Sequence, residues 1–161
     1  MGENASFQVE VRFDPAFAGQ VDAPGLRRAV VMALGHEGAP EDVVLTLVIT
    51  GDEEIHRLNR QFRQVDAPTD VLAFPAVADG PFVEAPGQPL YLGDIVISHP
   101  RAAAQAGAAG HPLQAELALL AVHGTLHLLG HDHGTPREKA VMWAIQDAVL
   151  AQLGLTLSTE G

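Results

Sequence analysis

Phe7, Val9, Val11 and Phe13 alternate with polar neighbours, the two-residue period of a half-buried strand. Residues 43–50, VVLTLVIT, are rich in β-branched side chains and predict a second strand. Residues 71–74 predict a short third strand, and 90–98, LYLGDIVIS, a fourth. Helical patterning fills the gaps. Asp22-Ala23-Pro24 opens an amphipathic segment that runs to about His36, with Gly35 and Gly38 as stops. Thr50-Gly51-Asp52-Glu53 has the spacing of a capping box and predicts a helix to about Phe62. Pro100 starts an alanine-rich helix ending near Gly107 or Gly110, and Pro112 starts another that reaches a histidine-rich stretch. Thr135-Pro136-Arg137-Glu138 offers a second capping box, for a last helix running to about Leu153 with Gly154 as its stop. Residues 75–89, crowded with proline and glycine, read as a surface loop. No internal repeat is visible. Strands interspersed with helices, with helices last, predict the α+β class: a mixed sheet of about four strands packed with helices. The pattern does not give the strand order.

Composition narrows this picture. The chain has 161 residues, 47% hydrophobic and 18% charged, which suits one folded domain spanning 1–161. It has no cysteine, so any transition-metal site must be built from imidazole and carboxylate. The net charge of −11 repels polyanions at long range and counts against nonspecific nucleic-acid binding. A local positive groove remains compatible with it, because charges beyond about 8–10 Å are screened at physiological salt. The first ten residues lack the basic and apolar regions of a signal peptide, and no apolar run approaches the ~20 residues of a membrane span. The expectation is a soluble cytoplasmic protein with no membrane partner.

Four of the eight histidines fall in residues 123–133, HGTLHLLGHDH. On a helix, His123 and His127 lie one turn apart on the same face and can share an ion. Gly130 can end that helix in a left-handed conformation and bring His133 back toward the pair. Three imidazoles with a fourth position open form the arrangement of a catalytic zinc site, on a zincin-like metal-binding helix. His131 is a competing third ligand if the helix continues past Gly130. The spacing matches the metzincin pattern H-E-x-x-H-x-x-G-x-x-H except at Gly124, where the protease carries its general-base glutamate. Losing that base typically costs a factor of ~100 to 10,000, so the chemistry expected here is not proteolysis. Glu116, seven residues before His123 and within about 20° of the same helical face, is a candidate replacement base. Alternatively Glu116 or Asp132 orients a ligand imidazole, or is simply solvated.

A second stretch is also unusual. Arg57, Arg60 and Arg63 step by three along a helix, giving a basic stripe on an acidic protein. For Arg57 and Arg60 a solvated face suffices. Arg63, at the helix end before a proline-containing turn, is placed to grip a phosphate with its planar fork. Trp143 and Met142, on the last helix among apolar neighbours, read as packing residues. The isolated His36, His56, His99 and His111 read as capping or surface residues.

Together, HGTLHLLGHDH, R-x-x-D-x-P-T-D-V-L-x-F-P from Arg63 to Pro75, and Leu92-Gly93-Asp94-Ile95 resemble the YbeY family of metal-dependent endoribonucleases of ribosomal RNA maturation. The likeness extends from the second strand to the last helix. It implies His123, His127 and His133 as ligands of one Zn2+ per chain, and Arg63 as a contact to RNA phosphate. It further implies a ribosomal RNA precursor as substrate, near the 3′ end of the small-subunit RNA, with the small subunit and its proteins as partners. Two departures stand out. Position 131, often tyrosine in the family, is His131 here, and the acidic residues that commonly follow the motif are replaced by Gly134-Thr135-Pro136-Arg137. A second reading, a ribosome-assembly or RNA-binding factor with a structural or vestigial metal, is motivated by the acidic charge and the missing glutamate.

Overall fold

The computed structural model describes residues 7–76 and 90–155. Most of the proline-rich segment expected as a loop lies outside the described residues. Four strands, β1 (Gln8–Phe13), β2 (Val43–Thr50), β3 (Val71–Pro75) and β4 (Leu90–Ser98), form one sheet in the order β1-β2-β4-β3. β1 runs parallel to β2 and β2 to β4, while β3 is antiparallel to β4 along the edge. The sheet is therefore mixed, as the interspersed pattern of strands and helices implied.

Among the described residues, five α-helices pack around it: α1 (Ala23–His36), α2 (Asp52–Arg63), α3 (His99–Ala109), α4 (Leu113–Leu128) and α5 (Pro136–Gln152). Val43, Leu45, Leu47 and Ile49 of β2, with Ile95 and Ile97 of β4, face Leu26, Val30 and Leu34 of α1 and Leu117, Leu120 and Ala121 of α4. α4 is apolar almost all round, the mark of a helix enclosed by other elements. α5 closes its outer side through Met142, Val149 and Leu150, which pack with Ala118, Val122 and Leu126. Each such leucine contributes roughly 1.5–3 kcal/mol of burial. His123 and His127 of the histidine segment thus lie at the C-terminal end of a deeply buried helix. α2 covers the opposite face, with Ile55 against Leu72 and Val96.

Three local expectations need correction. Thr50 is the last residue of β2, and Gly51 is the N-cap of α2 with no side-chain cap bond, so the first capping box does not form. Asp52 instead spends its carboxylate across the fold, accepting from the Ser98 hydroxyl at 2.6 Å and from Arg101 Nε at 3.4 Å. The second capping box is present: Thr135 Oγ1 accepts from the Glu138 amide and Glu138 Oε1 from the Thr135 amide, both at 3.1 Å. His99 is buried and stacked on Phe17 with ring centroids 4.3 Å apart, and His111 is engaged by Glu116, so neither is a surface residue.

Candidate metal centre

Why the helix stops where it does follows from Gly130. At φ +101° it adopts a conformation that side chains with a Cβ avoid. Its amide donates to the His127 carbonyl at 3.0 Å and the His131 amide to the Leu126 carbonyl at 3.0 Å, the paired bonds of a Schellman turn. The chain then folds back, and Asp132 Oδ1 accepts from the His133 amide at 2.8 Å, fixing the first residues of the return.

This brings His123, His127 and His133 together, with one potential ligand atom from each lying within 4.8 Å of the others. The ring centroids are 4.8, 5.2 and 5.5 Å apart. Tetrahedral imidazole ligands at about 2.1 Å from zinc lie roughly 3.4 Å from one another, a difference that small ring rotations close. The donor set also suits a metal electronically. Burial, with Gln146 opposing it, holds His123 below the usual histidine range. Burial and the neighbouring His123 and His133 push His127 down to about 4. Both rings are therefore neutral at pH 7 with lone pairs available. His133 is exposed and opens the cluster to a pocket of about 800 Å³.

His131 does not join them. Its Nε2 is 2.6 Å from Glu37 Oε1, and Glu37 Oε2 is 3.1 Å from His36 Nδ1, so it ties the turn to the end of α1. Both imidazoles help hold the Glu37 carboxyl below its ordinary value against the opposing effect of burial. Glu116 is likewise elsewhere. It is 5% exposed, meets His111 Nε2 through Oε1 at 2.5 Å, and lies two turns, about 10 Å of helix, before His123. It is absent from the pocket lining, and that separation leaves it out of reach of a group held by the three histidines.

Arg63 does reach the pocket. Gln64 takes a left-handed conformation at φ 57° that ends α2, and Asn59 Nδ2 donates to the Ala67 carbonyl at 2.9 Å, pinning the following turn. The returning β3 then passes beneath Arg63, whose guanidinium donates to the Ala73 carbonyl and lies 5.5 Å from the centre of the Phe74 ring. Phe62 meets the same ring edge-on at 5.5 Å. Arg57, by contrast, is paired with Glu54 and Gln61 on the outer face of α2.

The glycine at the glutamate position has a steric explanation. A Cβ on Gly124 would lie 2.6 Å from Ile95 Cγ2, so α4 rests on β4 through the space a side chain would need. Gly124 also lines the pocket through its backbone.

Two residues, Asp70 and Trp143, stand in the site in ways the pattern of hydrophobic and polar positions did not signal. Asp70, in the pocket wall, accepts from the Val71 amide at 2.7 Å and from Gln105 Nε2 at 3.2 Å, bracing the turn to α3. Its place in the P-T-D-V-L motif was the available signal. Trp143, read as packing, meets His123 and His133 edge-on at 5.6 and 5.5 Å, and Lys139 Nζ lies 5.4 Å from its ring. Met142 beside it is buried in the α1–α4–α5 core, as expected.

Comparison with known proteins follows the same lines. A family model described as Endoribonuclease YbeY matches residues 21–154. The Endoribonuclease YbeY of Roseiflexus castenholzii is 46% identical over 155 residues, covering 96% of this chain and 98% of its own. That of Chloroflexus aggregans is 49% identical over 154 residues, covering 93% and 98%. The solution structure of TM1509 from Thermotoga maritima shares the fold, with a TM-score of 0.56 at 21% identity over 90% of this chain and 91% of that one. A match of this extent, through the histidine segment and the Arg63 turn alike, shows that the chain belongs to the Endoribonuclease YbeY family.

Proposed function

We propose that this protein is a zinc-dependent endoribonuclease that cuts single-stranded regions of ribosomal RNA precursors, in maturation of the small-subunit 3′ end and in ribosome quality control. The observation that carries the reading is the convergence of His123, His127 and His133 in one pocket with Arg63 on its wall. Relatives named Endoribonuclease YbeY support the class of reaction and RNA as its substrate. No described helix is long and apolar enough to cross a membrane.

The three imidazoles would hold the ion, two from the buried helix and one from the exposed turn. A divalent cation there supplies Lewis acidity toward a phosphodiester oxygen. The protein's own part is positioning. Phe74 and the Ala73 carbonyl hold the Arg63 guanidinium at the wall, where its free N–H groups meet phosphate oxygens and offset the charge that builds on them. Gly124 lets α4 lie close on β4 at Ile95, which sets the depth at which His123 and His127 sit in the pocket. Against the overall charge of −11 and the Asp70 and Asp132 carboxylates of the same lining, the positive charge offered to RNA phosphate would be the Arg63 guanidinium and the bound cation, acting at short range.

The test is cleavage of precursor RNA by purified, zinc-loaded protein beside His127→Ala and Arg63→Ala. Loss of cleavage in both variants is expected. Equal cleavage by all three would mean a contaminating nuclease and would overturn the proposal. Intact ribosome maturation in cells carrying a folded His123→Ala would favour an assembly factor with a vestigial metal.

A further inference from the structure

The buried face of α5 is a stripe of Met142, Gln146, Val149 and Leu150, in which Gln146 is the one polar side chain and is 2% exposed. A primary amide in such surroundings is costly unless it is hydrogen-bonded. Gln146 spends its carbonyl oxygen on a single partner, with Oε1 lying 2.6 Å from Nδ1 of His123. An amide oxygen only accepts, so Nδ1 carries the ring proton and donates it. The proton cannot then sit on Nε2, which is left as a bare lone pair.

We infer that Gln146 is the positioning residue of this centre: it selects the tautomer of His123 and fixes the ring so that Nε2 faces His127 and His133. The inference rests on the reading of the three histidines as a metal centre. Trp143, one helical turn before Gln146 on α5, sets its ring edge-on to His123 at 5.6 Å and limits rotation of the imidazole. Ligand histidines commonly donate their second nitrogen to an outer partner, and loss of that partner typically costs 10- to 100-fold in metal affinity. The partner here is a neutral amide, which orients the ring without drawing the Nδ1 proton away from it as a carboxylate would.

Two variants separate positioning from packing. Gln146→Leu keeps the volume and removes the acceptor. Gln146→Glu keeps an acceptor that cannot donate. The tautomer of His123 is read in the metal-free proteins by nitrogen-15 NMR of the imidazole, and zinc affinity by competition with a chromophoric chelator. The Nδ1–H tautomer should dominate in the parent protein and in Gln146→Glu and become mixed in Gln146→Leu. Zinc affinity should fall about 10- to 100-fold in Gln146→Leu and return to within about threefold in Gln146→Glu. Thermal melts of the metal-free proteins check that both variants fold. An Nε2–H tautomer in the parent protein, or Gln146→Leu with unchanged tautomer and zinc affinity, overturns the inference alone. Failure of the parent protein to bind zinc overturns the metal centre itself.

Discussion

Replacing Gly124 by alanine tests the close packing of α4 on β4. A glycine inside a helix ordinarily costs about 1 kcal/mol relative to alanine, so propensity alone predicts that Gly124→Ala stabilises the protein. The structure predicts the reverse. The new methyl would lie 2.6 Å from Ile95 Cγ2 and 3.2 Å from its Cγ1. Ile95 is fully buried in β4, and Cγ2 is bonded directly to its Cβ, so the methyl cannot swing clear as the tip of a long chain would. Either α4 lifts from the sheet or β4 shifts, an overpacking penalty of about 1–3 kcal/mol. Net of the propensity gain, the substitution should destabilise by about 0–2 kcal/mol. Because His123 is the adjacent residue and His127 lies one turn on, lifting α4 should also weaken zinc binding severalfold. Urea denaturation gives the first quantity and chelator competition the second. Adding Ile95→Ala removes both crowding carbons, so the double variant should be more stable than the sum of the two single changes predicts. A Gly124→Ala protein that is about 1 kcal/mol more stable, with unchanged zinc affinity, would refute the close helix–sheet contact as the reason for glycine.

Arg63→Ala should lower RNA cleavage by about 100- to 1,000-fold at unchanged zinc content, and Arg63→Lys should recover little of it, because an ammonium reproduces neither the fork nor the stacking on Phe74; single-turnover cleavage is the assay. His131→Phe should leave zinc stoichiometry unchanged while lowering the melting temperature through loss of the tie to Glu37, as elemental analysis and calorimetry would report. The metal-free protein should lose stability on acidification. Folding holds His127 at about 4 while the unfolded chain keeps the ordinary 6.5, so the unfolded state takes up the proton first. The penalty is absent above about pH 6.5, grows as pH falls, and is complete below about pH 4. Melting temperatures between pH 7 and 4.5 should therefore fall more steeply for the parent protein than for His127→Asn.

Much of this was legible from period and punctuation. The strand and helix segments and the mixed sheet followed from alternation, β-branched runs and capping residues. Gly130 told where α4 ends because its requirement is local: a left-handed residue satisfies the last carbonyls whatever surrounds it. Contacts between distant segments were not legible in the same way. Thr50 fits the capping-box spacing, yet β2 claims it, since a strand already pairing with β4 through Thr50 and Ser98 outcompetes a cap. Glu116 lies on the expected helix, but its partner His111 lies in the turn before α4, and no periodicity reports that pairing. Gln146 and Glu37 reach the histidine segment across 23 and 94 residues, distances over which single-sequence patterns carry no signal. Gly124 was conspicuous as a missing carboxylate, and only the packing against Ile95 explains its presence.

The most direct test of the metal centre is zinc K-edge X-ray absorption on the purified, zinc-loaded protein, with His127→Ala beside it. The account predicts about one zinc per chain, with three imidazole nitrogens and one further light ligand at about 2.0–2.1 Å, and loss of bound zinc in the variant. Substoichiometric zinc, or a first shell without three imidazoles, would contradict it.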